Sequence, residues 1–207
     1  MTQPSPQVKN VIFDIGRVLY RWSPRFLYEK LIDDPARLDW FLAEVVTEEW
    51  HFQHDTGRPL AQMIAERVPK FPAERALIEL YQQRWLETIP GPVPGSHALV
   101  DQLAARGIPL YCLTNFGADT WAMFRPTARV LDHFRDILVS GHEKLAKPDP
   151  AIFELARRRF GVVPGETLFI DDSQANVDSA AACGFQVHWF KEAGALEADL
   201  RERELID

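Results

Sequence analysis

The sequence predicts an α/β fold: a three-layer Rossmann-like core with a parallel five-stranded sheet, plus an inserted helical cap. From Gly95 onward, short apolar runs alternate with segments of helical periodicity at the spacing of βαβ units. Between Gly16 and Gly95 the sequence shows amphipathic stretches but no strand pattern. A crossover of about 75 residues is much longer than a βαβ unit needs. An insertion after the first strand of a single sheet explains both observations.

The predicted strands are short apolar runs, and most of them end in polar residues. The first run, 11–16, delivers Asp14 and then Gly16 at its C-terminal end. The other strands are predicted at 110–113, 136–140, 167–170 and 186–190. Helices are predicted at 96–106, 119–124, 150–160 and 174–183, each stopping at a glycine or proline that ends helices. This alternation predicts parallel strands joined by crossover helices.

The insertion is predicted to be helical throughout. Its amphipathic segments lie at 25–31, 35–46, 60–68 and 73–88. The segment 90–95, rich in proline and glycine, predicts a stiff hinge back to the core. We therefore expect a core domain formed by residues 1–18 and 93–207 and a cap domain formed by residues 19–92. The Glu- and Arg-rich end, 196–207, is interpreted as a solvated helical tail.

Composition excludes several classes of partner. The net charge of −7 argues against the basic face that nucleic-acid binding needs. No apolar run reaches membrane-spanning length, and residues 1–10 lack the apolar core of a signal peptide. Cys112 and Cys183 lie in apolar segments without CxxC spacing, which favours buried free thiols in a reducing compartment. We expect a cytoplasmic protein with no nucleic-acid or membrane partner, and its oligomeric state is left open.

The residues that follow predicted strands are the candidate site residues, because ligands of open α/β sheets bind beyond the carboxyl ends of the strands. They offer carboxylates, a hydroxyl and an ammonium, which are the groups needed to hold a phosphoryl group together with a divalent cation. A glycine among them lets the backbone turn or lets a ligand approach closely. The set consists of Asp14, Gly16, Thr114, Asn115, Lys147, Asp171 and Asp172.

These segments, in this chain order, resemble the four motifs of the haloacid dehalogenase superfamily, most of whose members are phosphatases. The resemblance covers the chain from about residue 11 to about residue 190. It implies that Asp14 is a nucleophile that attacks phosphorus and forms an acyl phosphate. It also implies that Thr114 and Lys147 bind and neutralise the phosphate oxygens. The Asp-x-Gly first motif is similar to that of a branch that includes glucose-1-phosphate phosphatases.

The resemblance further implies a Mg²⁺ cofactor, because Mg²⁺ prefers oxygen ligands and commonly bridges protein carboxylates and phosphate oxygens. The implied ligands are Asp14, the backbone carbonyl of Gly16 and Asp172. Asp171 is either a further ligand or a residue that holds a metal-bound water.

Two choices among neighbouring residues complete the implied site. Asn115 is expected to bind substrate or to support the residues that do, and Asn176 is expected to have a supporting role. Lys144 competes with Lys147 for the role of the site lysine. We prefer Lys147 because the family motif places a proline directly after its lysine, and Pro148 follows here.

One position departs from the phosphatase pattern. Phosphatases of this superfamily usually carry a second Asp two positions after the nucleophile, as general acid and base, and here that position is Gly16. Two alternatives therefore stay open. One is a 2-haloacid dehalogenase-like hydrolase, against which the pair Asp171–Asp172 argues. The other is a non-catalytic phosphate-binding or regulatory protein.

The absence of the second Asp raises the question of which group protonates the leaving oxygen. A water or a residue of the cap could substitute, and His51, His54 and Asp55 are the first candidates. The i, i+3 spacing of the two histidines also allows a metal site on a helix. We interpret the cluster as surface polar groups, with a part in substrate selection as an alternative. The tryptophans are interpreted as packing residues, namely Trp22, Trp40, Trp50, Trp85 and Trp121.

Taken together, the motifs predict a Mg²⁺-dependent phosphatase that forms an aspartyl-phosphate on Asp14. The predicted substrate is a small soluble phosphate monoester, with a sugar phosphate as one candidate. A helical cap would select substrates by size and exclude bulk water.

Overall fold

The computed structural model describes residues 7–207, so the first six residues of the predicted core segment 1–18 lie outside the described residues. The described residues form seven strands. These are β1 (Asn10–Phe13), β2 (Tyr20–Arg21), β3 (Gly91–Pro92), β4 (Leu110–Thr114), β5 (Asp136–Val139), β6 (Thr167–Asp171) and β7 (Gln186–Trp189).

Helices fill the segments between the strands, with short 3₁₀ turns between several of them. Residues 7–207 contain eleven α-helices. These are α1 (Arg25–Tyr28), α2 (Pro35–Glu44), α3 (Glu48–Asp55), α4 (Leu60–Arg67), α5 (Arg75–Gln83), α6 (Ser96–Ala105), α7 (Ala118–Phe124), α8 (Ser140–Glu143), α9 (Pro150–Phe160), α10 (Gln174–Ala182) and α11 (Ala193–Glu202).

The five predicted core strands form one parallel sheet in the order β5-β4-β1-β6-β7. β1 lies at its centre, where Phe13 pairs with Cys112 on one side and with Ile170 on the other. Because β1 lies between β4 and β6, the residue that follows β1 lies beside the C-terminal ends of both strands. The predicted parallel five-stranded sheet is confirmed.

The sheet is covered on both faces, which gives three layers. Alternate strand residues point to opposite faces, so Ile12 and Phe169 pack against α9 through Ile152 and Phe153. Their strand neighbours lie in the cluster of the opposite face, which includes apolar residues of α6 and α11. The strands are therefore apolar on both sides, as expected of a buried parallel sheet.

The long insertion is helical and packs onto the core. Tyr28 of α1, Phe41 of α2 and Tyr81 of α5 are fully buried in the same apolar cluster as sheet residues such as Phe13. The ring centroids of Tyr28 and Phe41 lie 4.6 Å apart. We keep residues 19–92 as a proposed cap domain on the core segments 1–18 and 93–207.

The absence of strands between Gly16 and Gly95 was a wrong prediction. β2 and β3 form an antiparallel ribbon in which Tyr20 pairs with Pro92 and Arg21 pairs with Gly91. The ribbon joins the two ends of the insertion, at the predicted domain boundary. Strands of two residues have no periodicity in sequence, so tertiary pairing alone reveals them.

Several helix bounds also differ from the prediction. The segment 73–88 is divided into two 3₁₀ turns around α5, and α1 is only four residues long. α3 and α8 were not predicted, because neither has a clear apolar stripe. The predicted tail helix exists as α11, but Leu196 and Leu200 are buried rather than solvated. Cys112 is a buried free thiol as predicted, whereas Cys183 is partly exposed.

Within the described part of the chain, no helix is both long enough and apolar enough to cross a membrane.

Gly141, in the short helix α8, packs closely against the backbone of residues 116–118. A Cβ at this position would lie 2.6 Å from the backbone nitrogen of Ala118 and 2.7 Å from the carbonyl oxygen of Phe116. Since both atoms belong to the backbone, they cannot move aside cheaply. We expect Gly141→Ala to lower the free energy of unfolding by about 1–3 kcal/mol, measured by urea denaturation.

Gly194 in α11 is the matched control, because a Cβ there meets nothing within 4 Å. Alanine favours helix more than glycine by roughly 0.5–1 kcal/mol. Gly194→Ala should therefore leave stability unchanged or raise it. Equal losses in the two variants would contradict the packing argument.

Candidate active site

The carboxyl edge of the sheet gathers the polar residues that the sequence singled out. Asp14 follows β1, and its backbone N–H donates to the carbonyl of Ile170 at 2.9 Å. Thr114 ends β4 and Asp171 ends β6. Parallel register alone brings these three residues to one edge, although they are far apart in sequence.

Lys147 lies at the centre of this edge, with its side chain 1% exposed. Its ammonium lies 2.8 Å from Asp14 Oδ1 and donates to Asp171 Oδ2 at 2.6 Å. It also donates to the carbonyl oxygen of Leu113 at 2.8 Å. Three donors thus meet three acceptors, which is the full capacity of a lysine ammonium. Lys144, the competing lysine, is exposed to solvent.

The charges at this edge are strongly coupled. Burial lowers the pKa of Lys147, but the carboxylates of Asp14 and Asp171 outweigh burial and hold this pKa above its ordinary value. Burial raises the pKa of Asp14 to about 7, while Lys147 opposes this rise. The lysine is therefore a permanent cation that holds the Asp14 carboxylate in place.

Asp171 and Asp172 have different surroundings. Asp171 is fully buried, and its Oδ1 accepts from the Ser173 backbone N–H and from Asn176 Nδ2, both at 2.9 Å. Asp172 is only partly buried and lines a cavity above the sheet edge. Burial, followed by the charge of Asp171, raises the pKa of Asp172. Asp171 is thus an anchored carboxylate, and Asp172 is the one that faces the cavity.

The acidic residues fit a divalent cation. One ligand oxygen from each of Asp14, Asp171 and Asp172 lies within 4.8 Å of the others. Mg²⁺ prefers carboxylate oxygens and keeps several waters, so Asp14 and Asp172 can reach an ion from the cavity side. Gly16 also lines the cavity, and a Cβ at Gly16 would lie 3.9 Å from Asp14 Oδ2.

Thr114 and Asn115 are placed differently from one another. Within residues 7–207, the buried Thr114 Oγ1 has no hydrogen-bond partner, and Thr114 lies beside the cavity lining without belonging to it. The amide of Asn115 bonds the backbone of Lys147, since Nδ2 donates to its carbonyl at 2.8 Å and Oδ1 accepts from its N–H at 2.9 Å. Asn115 lines the cavity, and these two bonds make it a residue that positions Lys147.

A cavity of about 300 Å³ lies between the sheet edge and the insertion. The core contributes Asp14, Lys147 and Asp172 at its floor. The walls are mainly aromatic and aliphatic side chains. They include Tyr20, Trp22, Phe52, Trp85, Ile89 and Phe116. The interpretation of Trp22 and Trp85 as packing residues missed that both also line this cavity.

The histidine cluster is not on the surface, so that interpretation was wrong. His51, His54 and Asp55 are all at least nine-tenths buried. His51 Nδ1 and the Tyr81 hydroxyl share a 2.9 Å hydrogen bond, and His54 Nε2 lies 3.1 Å from Thr120 Oγ1. Within residues 7–207 the group that could hold a metal is the Asp14–Asp171–Asp172 cluster, and no histidine belongs to it.

A carboxylate paired with a buried lysine beside a cluster of acidic residues, on a parallel α/β sheet, defines a hydrolase site. The chain matches the family of haloacid dehalogenase-like hydrolases over residues 2–184. It belongs to this family, as its four motifs predicted.

Individual relatives include phosphatases and dehalogenases. The sesquiterpene phosphatase astK of Aspergillus oryzae is 26% identical over 85% of this chain and 86% of its own length. An (S)-2-haloacid dehalogenase of Pseudomonas sp. is 31% identical over 50% of this chain and 45% of its own length. The chain spans less than two thirds of the length of several other curated relatives that it matches, for example 13% of a mouse acyl-CoA dehydrogenase family member 10 and 39% of a phosphoserine phosphatase of Thermus thermophilus.

The fold is shared with solved structures. The magnesium complex of a family enzyme from Bacteroides thetaiotaomicron has a TM-score of 0.69 and 23% identity. The match covers 91% of this chain and 96% of that chain. Its magnesium belongs to that protein, and at this identity the likeness concerns the fold.

Removal of the Lys147 ammonium should destabilise the protein. The variant Lys147→Met leaves the buried carboxylates of Asp14 and Asp171 without their shared cation. Breaking a buried ion pair in this way costs about 3–5 kcal/mol. Urea denaturation in EDTA, which prevents a metal ion from replacing the lost charge, should report this loss of stability.

Lys144→Met is the control for that measurement, because it removes the same charge from an exposed position nearby. A surface substitution of this kind changes stability by less than about 0.5 kcal/mol. Similar effects of the two variants would mean that the Lys147 ion pairs contribute little to stability.

Proposed function

We propose that this protein is a Mg²⁺-dependent phosphatase that hydrolyses a small phosphate monoester through an aspartyl-phosphate on Asp14. The observation that carries this proposal is the position of Asp14 at the floor of the cavity. There one of its oxygens is held by Lys147, and Asp171 and Asp172 lie close by.

Asp14 is suited to nucleophilic attack. Its Oδ1 is fixed by Lys147, which leaves Oδ2 as the attacking oxygen. Attack on phosphorus forms a bond from Oδ2 to phosphorus and breaks the bond to the leaving oxygen. Water then attacks the same phosphorus and restores the Asp14 carboxylate.

Charge at the transferred phosphoryl group would be balanced by residues around Asp14. The unpartnered hydroxyl of Thr114 is a donor for a phosphoryl oxygen, and the positive charge of Lys147, whose three N–H donors are already paired, would act on these oxygens at short range. Asp14, Asp172 and the Gly16 carbonyl would hold the Mg²⁺ ion. When bound, the ion reduces the repulsion between the carboxylate and the phosphate anion.

Dehalogenation is the second candidate function, because Gly16 stands where phosphatases usually carry Asp and because dehalogenases are among the relatives. A dehalogenase of this type needs the same nucleophile but no metal. The cluster of Asp14, Asp171 and Asp172 favours metal-dependent phosphatase chemistry, since the single charge of Lys147 cannot neutralise three neighbouring carboxylates and a divalent cation would.

The variant Asp14→Asn and the addition of EDTA test both candidates together. We expect Asp14→Asn to reduce phosphatase turnover by at least about 10³-fold with an unchanged fold, because it removes the covalent nucleophile. EDTA should silence the wild type, and Mg²⁺ should restore it. The assay compares p-nitrophenyl phosphate with 2-chloropropionate, which reports dehalogenation.

Asp101→Asn is a suitable control, because Asp101 is exposed and pairs with the surface residue His133. It should retain full activity. Full activity of the wild type in EDTA, with chloride released from 2-chloropropionate, would favour the dehalogenase. Full activity of Asp14→Asn would overturn both candidates.

The cavity walls indicate what the rest of the substrate resembles. Side chains such as Trp22, Phe52 and Ile89 present apolar surface to the cavity. Apolar surface gains free energy when it is removed from water, at about 25 cal/mol per Å². We therefore propose an organic group that is apolar or aromatic in preference to a free sugar, and the likeness to a sesquiterpene phosphatase supports this class.

Phe52 provides a test of this substrate class, because it lines the cavity and is 39% exposed, so its replacement should not disturb folding. Wild type should have a lower KM for phenyl phosphate than for glucose 1-phosphate. Phe52→Ser should raise the KM for phenyl phosphate by about tenfold, equivalent to about 1.4 kcal/mol of lost contact. Steady-state kinetics with both esters measure these values.

Trp40→Ser is the matched control, because Trp40 is also an exposed aromatic residue of the insertion but contacts Phe71 on another surface. This variant should leave both KM values unchanged. A wild-type preference for glucose 1-phosphate that survives Phe52→Ser would overturn the apolar class and favour a sugar phosphate.

A further inference from the structure

Gly16 leaves the proposed reaction without its usual source of a proton. The leaving oxygen of an alkyl phosphate is a poor leaving group unless it receives a proton as the bond to phosphorus breaks. Since Gly16 has no side chain, the acid must come from elsewhere in the cavity. This need for an acid rests on the proposed phosphatase function.

Asp55 is a buried carboxyl group on the cap side of the same cavity. It is the last residue of α3 and lines the cavity together with Asp14 and Lys147. The residue is only 8% exposed. Within residues 7–207, its Oδ1 is buried and has no hydrogen-bond partner. Buried polar atoms are nearly always hydrogen-bonded, so an unpartnered one beside a cavity points to a ligand.

The sequence places Asp55 on a helix that begins at a clear cap. The Thr47 side chain accepts from the Trp50 backbone N–H, and Glu48 and Glu49 occupy the first turn. Acidic residues at this end are favourable because they interact with the positive end of the helix dipole. The helix then runs into the core and ends at the cavity.

The end of α3 is fixed to the core. Ser140 Oγ donates to the Asp55 backbone carbonyl at 2.6 Å, and His54 Nε2 lies 3.1 Å from Thr120 Oγ1. The backbone N–H of Gly117 lies close enough to the Asp55 carboxyl group to lower its pKa. Asp55 therefore belongs to the cap by sequence but is positioned by the core.

Its surroundings favour the protonated acid. Burial is the main cause that raises the pKa of Asp55 well above its ordinary value, and the negative charge of Asp14 adds to this rise. The backbone N–H of Gly117 and the positive charge of Lys147 lower the pKa, but they do not cancel the effect of burial. His51 Nε2 lies 3.5 Å from Asp55 Oδ1, but burial lowers the pKa of His51 to about 3, so this imidazole is neutral. The other cap carboxylate that lines the cavity in the described chain, Glu48, is exposed and paired with Arg17.

We propose that Asp55 is the general acid and base of this site, in place of the residue missing at position 16. As Asp14 Oδ2 bonds to phosphorus and the phosphorus–oxygen bond of the ester breaks, the Asp55 carboxyl gives its proton to the leaving oxygen, which departs as an alcohol. The resulting carboxylate then takes a proton from the water that attacks the phosphoenzyme. Phosphate leaves, and both carboxyl groups return to their initial states.

The experiment compares two esters in single-turnover release of the alcohol, which isolates phosphoenzyme formation. p-Nitrophenyl phosphate has a leaving group that departs without a proton, whereas a simple alkyl phosphate needs one. Asp55→Asn should slow the alkyl ester by about 10²–10⁴-fold and the nitrophenyl ester by less than about tenfold. With the nitrophenyl ester, Asp55→Asn should also show a burst as the phosphoenzyme accumulates, because its hydrolysis lacks the base.

Three further variants separate the proton role from a structural one. Glu49→Gln, which alters an exposed carboxylate of the same helix that does not line the cavity, should leave both rates unchanged. Asp55→Glu retains an acid and should keep the ratio of the two rates near that of the wild type. Gly16→Asp in the Asp55→Asn background should restore the alkyl ester rate, since Gly16 has room for a Cβ. Circular dichroism and melting temperature verify the fold of each variant.

The outcomes distinguish this inference from the proposed function. Wild type that hydrolyses neither ester overturns the phosphatase and, with it, the role of Asp55. Wild type that hydrolyses both esters, with equal losses or no loss in Asp55→Asn, overturns the role of Asp55 alone. If Asp55→Asn does not fold, Asp55→Ser removes the acid with a smaller side chain and takes its place. Equal losses of the two rates in that variant overturn the role of Asp55, and a loss confined to the alkyl ester supports it.

Discussion

Lys147 holds the centre of this molecule together. Its ammonium is buried at the carboxyl edge of the sheet, where it joins Asp14 after β1, Asp171 at the end of β6 and the Leu113 carbonyl in β4. A buried charge is tolerated only when its partners satisfy it fully, so the geometry of three strands is coupled to this one side chain. The same contacts fix one oxygen of Asp14 and leave the other facing the cavity. Stability and the proposed chemistry therefore depend on the same ion pairs.

A second constraint is the close contact between the insertion and the core. The backbone carbonyl of Asp55 accepts from Ser140, and the apolar residues of α1, α2 and α5 share one cluster with the sheet. Gly117 is part of this contact, because a Cβ there would lie 2.0 Å from His54 Nε2. This contact closes a cavity of about 300 Å³ with charged residues at its floor and aromatic residues on its walls. The proposed substrate class, an anion that carries an apolar group, rests on this combination.

Local sequence patterns correctly predicted the five strands of the parallel sheet. The elements that were missed are those that form only through contacts between distant parts of the chain. β1, β4, β5, β6 and β7 are runs of apolar residues long enough to recognise, and the polar residues after them follow from the parallel arrangement. The ribbon of β2 and β3 is only two residues long in each strand, so no sequence pattern marks it. α3 was missed because polar residues such as His51, His54 and Asp55 occupy its buried face. The pattern that usually reveals a buried helix face was therefore absent.

The sequence by itself determined the family, the parallel α/β core and the seven residues expected at the carboxyl edge. It could do so because strand periodicity and motif spacing are local properties of the chain. The tertiary structure alone decided that Asn115 bonds the backbone of Lys147, that Asp171 is anchored while Asp172 faces the cavity, and that Asp55 reaches the same cavity. These features depend on which side chains meet across distant segments and on how deeply they are buried. Burial and contact set the charge and hydrogen bonding of each group, and neither can be obtained from the order of residues along the chain.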